Sequence, residues 1–172
     1  MGTRSTWGLI ALLSLLLLWI WRAEGPTQPT TGPLPPVLLA DASERIARVE
    51  LIVGAQTTTA TRAPSGWLDL QGRPFPHDAV TDLLVTLATL RPLRTIAPEP
   101  NEAPRYAIGQ RRLRIVRDDG SVALDLELGN ANPAQTALYA RMTGQPDILM
   151  IGAVLAWDIG KLETAARGDA TP

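Results

Sequence analysis

The pattern of apolar and polar residues predicts mostly β-strands in the chain after residue 44. Between Arg45 and Val53 apolar side chains recur at every second position, which is the period of a half-buried strand. The β-branched run Thr57–Arg62 is expected to return as its hairpin partner. Further short strands are predicted at Trp67–Leu70, Arg94–Ile96, Leu138–Met142 and Ile148–Ile151.

Two segments follow the helical period instead. In Asp78–Leu90 one apolar stripe is formed by Val80, Leu83, Leu84, Leu87 and Leu90. Pro92 is expected to end this helix because proline cannot continue it. A second, shorter helix is predicted at Val154–Ala165, with Leu155, Ile159 and Leu162 on one side.

A hairpin is predicted between residues 111 and 128. Asp119-Gly120 lies between two alternating runs and is a strong two-residue turn signal. With Asp118 opposite Ser121, the register follows along both strands. The expected cross-strand pairs are Ile115 with Leu124, Leu113 with Leu126, Arg114 with Asp125 and Arg112 with Glu127. The four arginines of the first strand are therefore interpreted as a solvated face that its partner neutralises.

These elements predict an α+β fold, in which a single N-terminal transmembrane helix precedes a small, mainly antiparallel sheet packed with one or two helices. The expected organisation is a membrane helix at 1–24, a proline-rich linker at 25–42, the folded domain at 43–166 and a flexible tail at 167–172. Five prolines between residues 25 and 36 favour an extended, semi-rigid linker.

The N-terminal segment Trp7–Trp21 is a run of fifteen residues without a charge. It gives roughly 22 Å of helix, and flanking residues can extend it toward the roughly 30 Å of a bilayer core. Tryptophans at both ends suit the two membrane interfaces. The residues taken as the membrane anchor are Trp7, Leu13, Leu17, Trp19 and Trp21.

A cleaved signal peptide is the competing interpretation of this segment. Cleavage requires small residues just before the cut, but cleavage after Ala23 would place the bulky Trp21 at the third position before it. Cleavage after Gly25 would make Pro26 the first residue after the cut, which is unfavourable. We therefore expect an uncleaved signal-anchor in the bacterial inner membrane. The positively charged N-terminus stays in the cytoplasm and the C-terminal domain lies in the periplasm.

Composition excludes several classes of function. The formal net charge of −1 lacks the basic footprint of a nucleic-acid-binding protein. The chain has no cysteine, so disulfides, thiolate nucleophiles and cysteine-ligated zinc are ruled out. Its single histidine, His77, excludes a histidine-rich metal site. No cofactor is expected.

Candidate catalytic residues are few. Ser43, Ser65 and Ser121 lack the glycine context of a nucleophile elbow, and the pair Asp118-Asp119 is explained by the hairpin turn. Asp78 and Asp82 stand four residues apart on the predicted helix. Together with His77 they are the basis of the hypothesis that the chain is an enzyme. The structural interpretation is that Asp78 caps the helix, whereas Asp82 faces solvent or is favoured by the positive end of the helix dipole.

Trp67, Arg112 and Arg114 are the candidates for partner binding. A tryptophan between a turn and a strand either stacks on a sugar or partner or covers the open end of a small core. The core is the favoured position for Trp67.

The chain also resembles a known family. The segments that carry the resemblance are "SGWLDL", "PHDAVTDLLVTLATLRPLRTI", "YAIG", "RRLRIVRDDGSVALDLELG", "ALYARMTG" and "ILMIGAVLAWDIGKL". In this order they resemble family 4340 of the bacterial domains of unknown function, over about Ser43 to Leu162. Such domains follow a single membrane helix and are often encoded beside gliding-motility-type ABC transporter components. This chain is shorter than members that carry more than one such unit.

The resemblance implies a location and partners but no catalytic residues, because none are established for the family. The expected function is a non-catalytic accessory subunit, anchored in the lipid bilayer by one helix. Its exported domain would bind other subunits of an inner-membrane complex, either an ABC-type transporter or a respiratory or photosynthetic complex. The alternative is a periplasmic module that recognises glycan or cell-wall material through Trp67 and the exposed arginines.

Overall fold

The computed structural model describes residues 12–16, 18–19, 35–40, 43–99 and 102–167. The chain divides into two compact units, Met1–Leu34 and Pro35–Pro172. In the first unit, residues 12–16 and 18–19 are helical. Among the described residues, no helix has both the length and the apolar character that crossing a membrane requires. Trp7, Leu17 and Trp21 of the predicted anchor lie outside the described residues, as do linker residues 25–34 and tail residues 168–172.

The described residues of the second unit form nine strands and two α-helices. The strands are β1 (Ile46–Val53), β2 (Gln56–Ala63), β3 (Gly66–Leu68), β4 (Pro74–Phe75), β5 (Arg94–Ile96), β6 (Arg111–Arg117), β7 (Val122–Ala131), β8 (Ala137–Met142) and β9 (Ile148–Gly152). The helices are α1 (His77–Thr89) and α2 (Val154–Ala166), and short 3₁₀ turns lie at Ser43–Arg45 and Ala103–Tyr106.

All nine strands form one antiparallel sheet in the order β4-β3-β2-β1-β6-β7-β8-β9-β5. The inward residues of the central strands and the apolar stripes of both helices join in one core. The α+β class and the antiparallel sheet are therefore confirmed. The predicted stripe of α2 is confirmed too, since Leu155, Ile159 and Leu162 are all buried.

The β6–β7 hairpin has the predicted register, but its loop is longer than predicted and a bulge in β7 compensates for the difference. The predicted two-residue turn is wrong, because Arg117 is opposite Ser121 and the loop comprises Asp118, Asp119 and Gly120. Gly120 takes a φ of 81°, the left-handed conformation that a glycine allows at the end of such a loop. A bulge at Ala123 then shifts the ladder by one residue, so that Ile115 pairs with Leu124.

The folded unit begins before the predicted boundary at residue 43. The backbone N–H groups of Leu38 and Leu39 donate to the carbonyls of Leu90 and Leu87, at 3.1 and 3.0 Å. Both leucine side chains are buried in the core. The predicted linker 25–42 would have left both leucines in solvent, whereas their burial removes apolar area from water and stabilises the fold. The chain therefore enters the folded unit beside the C-terminal end of α1.

Strand β7 is also longer than predicted. It continues to Ala131, three residues beyond the predicted hairpin segment 111–128. Gly129 lies under the segment that precedes β6, where a side chain would meet the backbone oxygen of Tyr106. The absence of a side chain at this position lets that segment cover the sheet.

Candidate interaction surface

The sheet face away from the helices carries a network of charges around Asp125. Arg112 donates from Nε and Nη2 to the two carboxylate oxygens of Asp125, at 2.6 Å each. Arg114 lies 3.3 Å from the same carboxylate and 3.9 Å from Glu50. The hydroxyl of Thr143 donates to Asp125 at 3.0 Å. Two of the predicted partner-binding residues are thus already held by acidic side chains of their own sheet.

One ion pair in this network is diagonal, whereas the others are directly cross-strand. Arg112 is in register with Glu127 but bonds to Asp125, and Glu127 accepts from Arg141, opposite it on β8, at 2.6 and 2.9 Å. The predicted pair of Arg114 with Asp125 is confirmed, whereas the long side chain of Arg112 reaches its diagonal neighbour instead. The face is neutralised within the sheet, which agrees with the solvated-face interpretation.

We predict that Asp125→Ala lowers the free energy of unfolding by about 1–3 kcal/mol, because two arginines and a threonine lose their common acceptor. The matched control is Glu102→Ala, which removes an exposed pair with Arg105 and is expected to cost less than about 0.5 kcal/mol. Urea denaturation of both variants measures the difference. Equal effects in the two variants would contradict the structural role of the network.

The contribution of Asp125 to the free energy of unfolding depends on pH. Hydrogen bonds from Arg112 hold the pKa of Asp125 below its usual range. A carboxyl whose pKa is lower in the folded state contributes stability that is complete above its unfolded pKa of about 4. That contribution is lost as the pH falls through the folded value. The gap between wild type and Asp125→Ala should therefore shrink in strong acid.

Trp67 lies in the core and not at a binding surface. Its side chain is 3% exposed, and the guanidinium carbon of Arg62 lies 4.8 Å from the ring centroid. Arg62 is fixed in turn, because it donates to the carbonyls of Ile46 and Ser43 at 2.8 and 2.7 Å. With its ring buried, Trp67 has no face on which a sugar could stack. The glycan-binding alternative therefore loses the residue on which it depends.

The candidate catalytic residues do not converge. His77 is the first residue of α1 and is exposed. The predicted cap is wrong, because Pro76 occupies the N-cap position and no side chain bonds there. Asp78 lies within the first turn instead. Asp82 accepts from Lys161 of α2 at 2.6 Å, and this bond raises the pKa of Lys161. Among the described residues, no group of three or more potential metal ligands is found.

Polar contacts set the alignment of the two helices. The hydroxyl of Thr86 donates to the buried carboxylate of Asp158 at 2.6 Å. Lys161 joins Asp158, at 3.2 Å, to Asp82. From Asp82 to Thr86 the chain advances along α1, whereas their partners, Lys161 and Asp158, follow in descending order along α2. The helices α1 and α2 are therefore antiparallel. A buried carboxylate is stable here because a hydroxyl and an ammonium group both reach it.

An exposed apolar surface results from this alignment. Trp157 is 76% exposed, and Val85 and Val154 are 56% and 48% exposed. Val85 follows Asp82 by one turn, while Trp157 precedes Lys161 by one turn. In antiparallel helices both therefore lie on the same side of the Asp82–Lys161 pair. We call Val85, Thr89, Val154 and Trp157 the Trp157 surface.

The Trp157 surface lies at the end of the helix layer where the chain enters the folded unit. Leu38 bonds to Leu90, immediately after α1, and Arg91 donates to the carbonyl of Pro35. Leu93, just beyond, is a further exposed apolar residue at 62%. Exposed apolar side chains thus concentrate near the point where the preceding segment leads in.

The sequence contained a signal for this surface that the prediction did not use. Leu155, Ile159 and Leu162 define the buried side of α2. Position 157 lies about 200° around the helix from both 155 and 159, at 100° per residue, so the pattern places Trp157 on the outer side. An apolar residue on a predicted polar side is the informative observation.

Comparison with protein-family models, with curated proteins and with solved structures gives no match. The resemblance to family 4340 of the bacterial domains of unknown function therefore stays a prediction. Function has to be argued from the surface geometry of the folded unit.

Proposed function

We propose that this protein is a non-catalytic, membrane-anchored accessory subunit of a bacterial inner-membrane complex, whose exported domain binds a partner protein. The observation that carries the proposal is the Trp157 surface. Trp157 is 76% exposed and lies on the same side of the Asp82–Lys161 pair as the exposed residues Val85 and Val154. A tryptophan in such a setting is the side chain that most often contributes strongly to a protein interface.

The composition of the surface favours a protein partner over a small ligand. Interface centres are enriched in aromatic residues and depleted in charge, and exposed apolar patches with polar rims mark interaction sites. Here the rim is the Asp82–Lys161 ion pair, at 2.6 Å. The surface is formed by exposed side chains on the outside of two helices, whereas small-molecule sites are concave.

A membrane anchor agrees with the described part of the N-terminal unit. Within that unit Leu12, Leu13, Leu15, Leu16, Leu18 and Trp19 are all more than half exposed. A helix that is apolar on every side requires an apolar environment, either lipid or protein. Lipid and the membrane helices of a partner both supply one. Leu13 and Trp19, two of the predicted anchor residues, belong to this set.

In the sequence a short proline-rich linker separates the predicted anchor from the folded domain. The carbonyl of Pro35, in the folded unit, accepts from Arg91, at the end of the helix layer that carries the Trp157 surface. We take the partner to be a membrane protein or a subunit close to the membrane. The resemblance favours an ABC-type transporter, and a respiratory or photosynthetic complex fits the same geometry.

Site-specific photocrosslinking tests this function. With p-benzoylphenylalanine in place of Trp157 or of Val154, irradiation of intact cells should produce one crosslinked membrane protein, the same from both positions. The control position is Gln145, which is exposed in the β8–β9 turn and should give no such product. Crosslinks only to lipid, or the same product from Gln145, would count against a specific interface.

A further inference from the structure

Strand β2 has a free edge over most of its length. On one side it pairs with β1 from Gln56 to Thr61. On the other side β3 pairs only with Thr61–Ala63, because β3 is three residues long and the chain then turns at Asp69–Arg73. No described strand lies beside Gln56–Ala60 on that side.

The hairpin geometry shows which backbone groups point outward. Val53 and Gln56 close the two-residue β1–β2 turn, so Gln56, Thr58 and Ala60 exchange hydrogen bonds with β1. The alternate residues Thr57 and Thr59 then direct their N–H and C=O groups away from β1. The β2–β3 turn, closed by Ala63 and Gly66, gives the same alternation. Four backbone groups therefore point away from β1, two at Thr57, which is exposed, and two at Thr59, which is 6% exposed.

This edge lacks the sequence features that normally protect one. Free edges are usually blunted by charged side chains, proline, bulges or very short strands, or are covered by a helix or loop. The outer strands follow that rule, since β4 has two residues, including Pro74, and β5 has three. Gln56–Ala60 is uncharged, free of proline and rich in threonine, a residue with high strand propensity.

The free edge forms one side of a groove of about 750 Å³. The loop from Asp69 to Pro76 and the last turn of α2 provide its walls. Charges on both walls are paired, Asp69 with Arg73 at 2.7 Å and Glu163 with Arg111 and Arg167 at 3.8 Å each. A neutral occupant is therefore favoured.

We propose that this groove binds an extended, uncharged peptide segment of a partner protein, which adds to β2 as a further strand through Thr57 and Thr59. Main-chain hydrogen bonds would supply most of the affinity in such an arrangement, and the walls would select for small or β-branched side chains. This site is independent of the Trp157 surface, so either proposal can fail without the other.

The probe is a synthetic, N-acetylated peptide of alternating threonine and valine, titrated into the ¹⁵N-labelled full-length chain in detergent micelles. The amide signals of Thr57 and Thr59 should shift on binding. Thr57→Pro removes one outward N–H and leaves the β1–β2 ladder intact, since proline is tolerated at edge positions. It should weaken binding by about tenfold. Thr57→Val keeps the backbone donor and should bind like wild type.

Four outcomes would overturn the proposal. One is that the peptide leaves the Thr57 and Thr59 signals unmoved. Another is that Thr57→Pro and Thr57→Val bind it equally well. The third is self-association of the chain through β2, seen by sedimentation as a dimer that Thr57→Pro abolishes, which would make the occupant a second copy. Binding of a peptide N-methylated at alternate residues, as tight as that of the parent peptide, would also exclude strand addition.

Discussion

Replacing Trp67 with alanine is expected to lower the free energy of unfolding by about 3–5 kcal/mol, the usual range for removing a buried tryptophan. The indole is 3% exposed and belongs to the main core. Its loss would also remove the stacking contact of Arg62, whose guanidinium carbon lies 4.8 Å from the ring centroid. Urea denaturation followed by far-UV circular dichroism measures the change.

Trp157→Ala is the matched control, since it removes the same side chain from the surface. Its free energy of unfolding should stay within about 0.5 kcal/mol of wild type. Trp67→Ala should therefore lower the stability of the fold, whereas Trp157→Ala should leave the stability unchanged and affect partner binding. If Trp67→Ala left the unfolding midpoint unchanged, the placement of this ring in the core would be wrong.

The second large effect is expected for Gly129→Ala, at about 3 kcal/mol of destabilisation. An added Cβ would lie 2.2 Å from the backbone oxygen of Tyr106 and 2.9 Å from Cδ1 of Ile108. A backbone oxygen cannot rotate away as the end of a side chain can. The covering segment, which also places Tyr106 edge-on to Tyr139 at 4.8 Å, would have to move from the sheet.

Gly160→Ala is the control for this substitution and should act in the opposite direction. Gly160 lies inside α2, and nothing lies within 4 Å of the Cβ position. Alanine there should raise stability by about 0.5–1 kcal/mol, because glycine is the weaker helix former. Thermal unfolding of the two variants gives the comparison. A Gly129→Ala protein as stable as wild type would show that the covering segment does not rest on the sheet.

Local patterns predicted the elements well because period and turn chemistry act over a few residues. The apolar stripe of α1 and the register of Ile115 with Leu124 both follow from spacing alone. The loop type did not follow, since a two-residue turn and a three-residue turn with a bulge give the same register. Only the hydrogen bond between Arg117 and Ser121 distinguishes them.

Long-range contacts limited the rest of the prediction. Asp82 is exposed, which was one of the two expectations, but its bond to Lys161, 79 residues away in the sequence, was not predicted. Leu38 and Leu39 appeared to belong to the linker because nothing local shows that α1 leaves them a place in the core. Such contacts depend on how distant elements pack, and the periodicity of one segment does not encode that.

The candidate site was predicted only in part for the same reason. The sequence marked Trp67, Arg112 and Arg114 for binding, and the fold engages all three internally. Trp157 attracted no prediction, although the helical period places it outside. The sequence shows that residue 157 is a tryptophan, but the exposure of its side chain depends on how α2 packs against α1.

Gentle detergent extraction from the native membrane tests the central claim most directly. The wild-type chain and Trp157→Ala would each be extracted and their particle sizes compared by native gel or mass photometry. We expect wild type in a particle well above the 18.5 kDa of one chain, and the variant alone, folded and membrane-bound. A wild-type chain that is extracted as a monomer, or a variant that stays in the same large particle, would contradict the account.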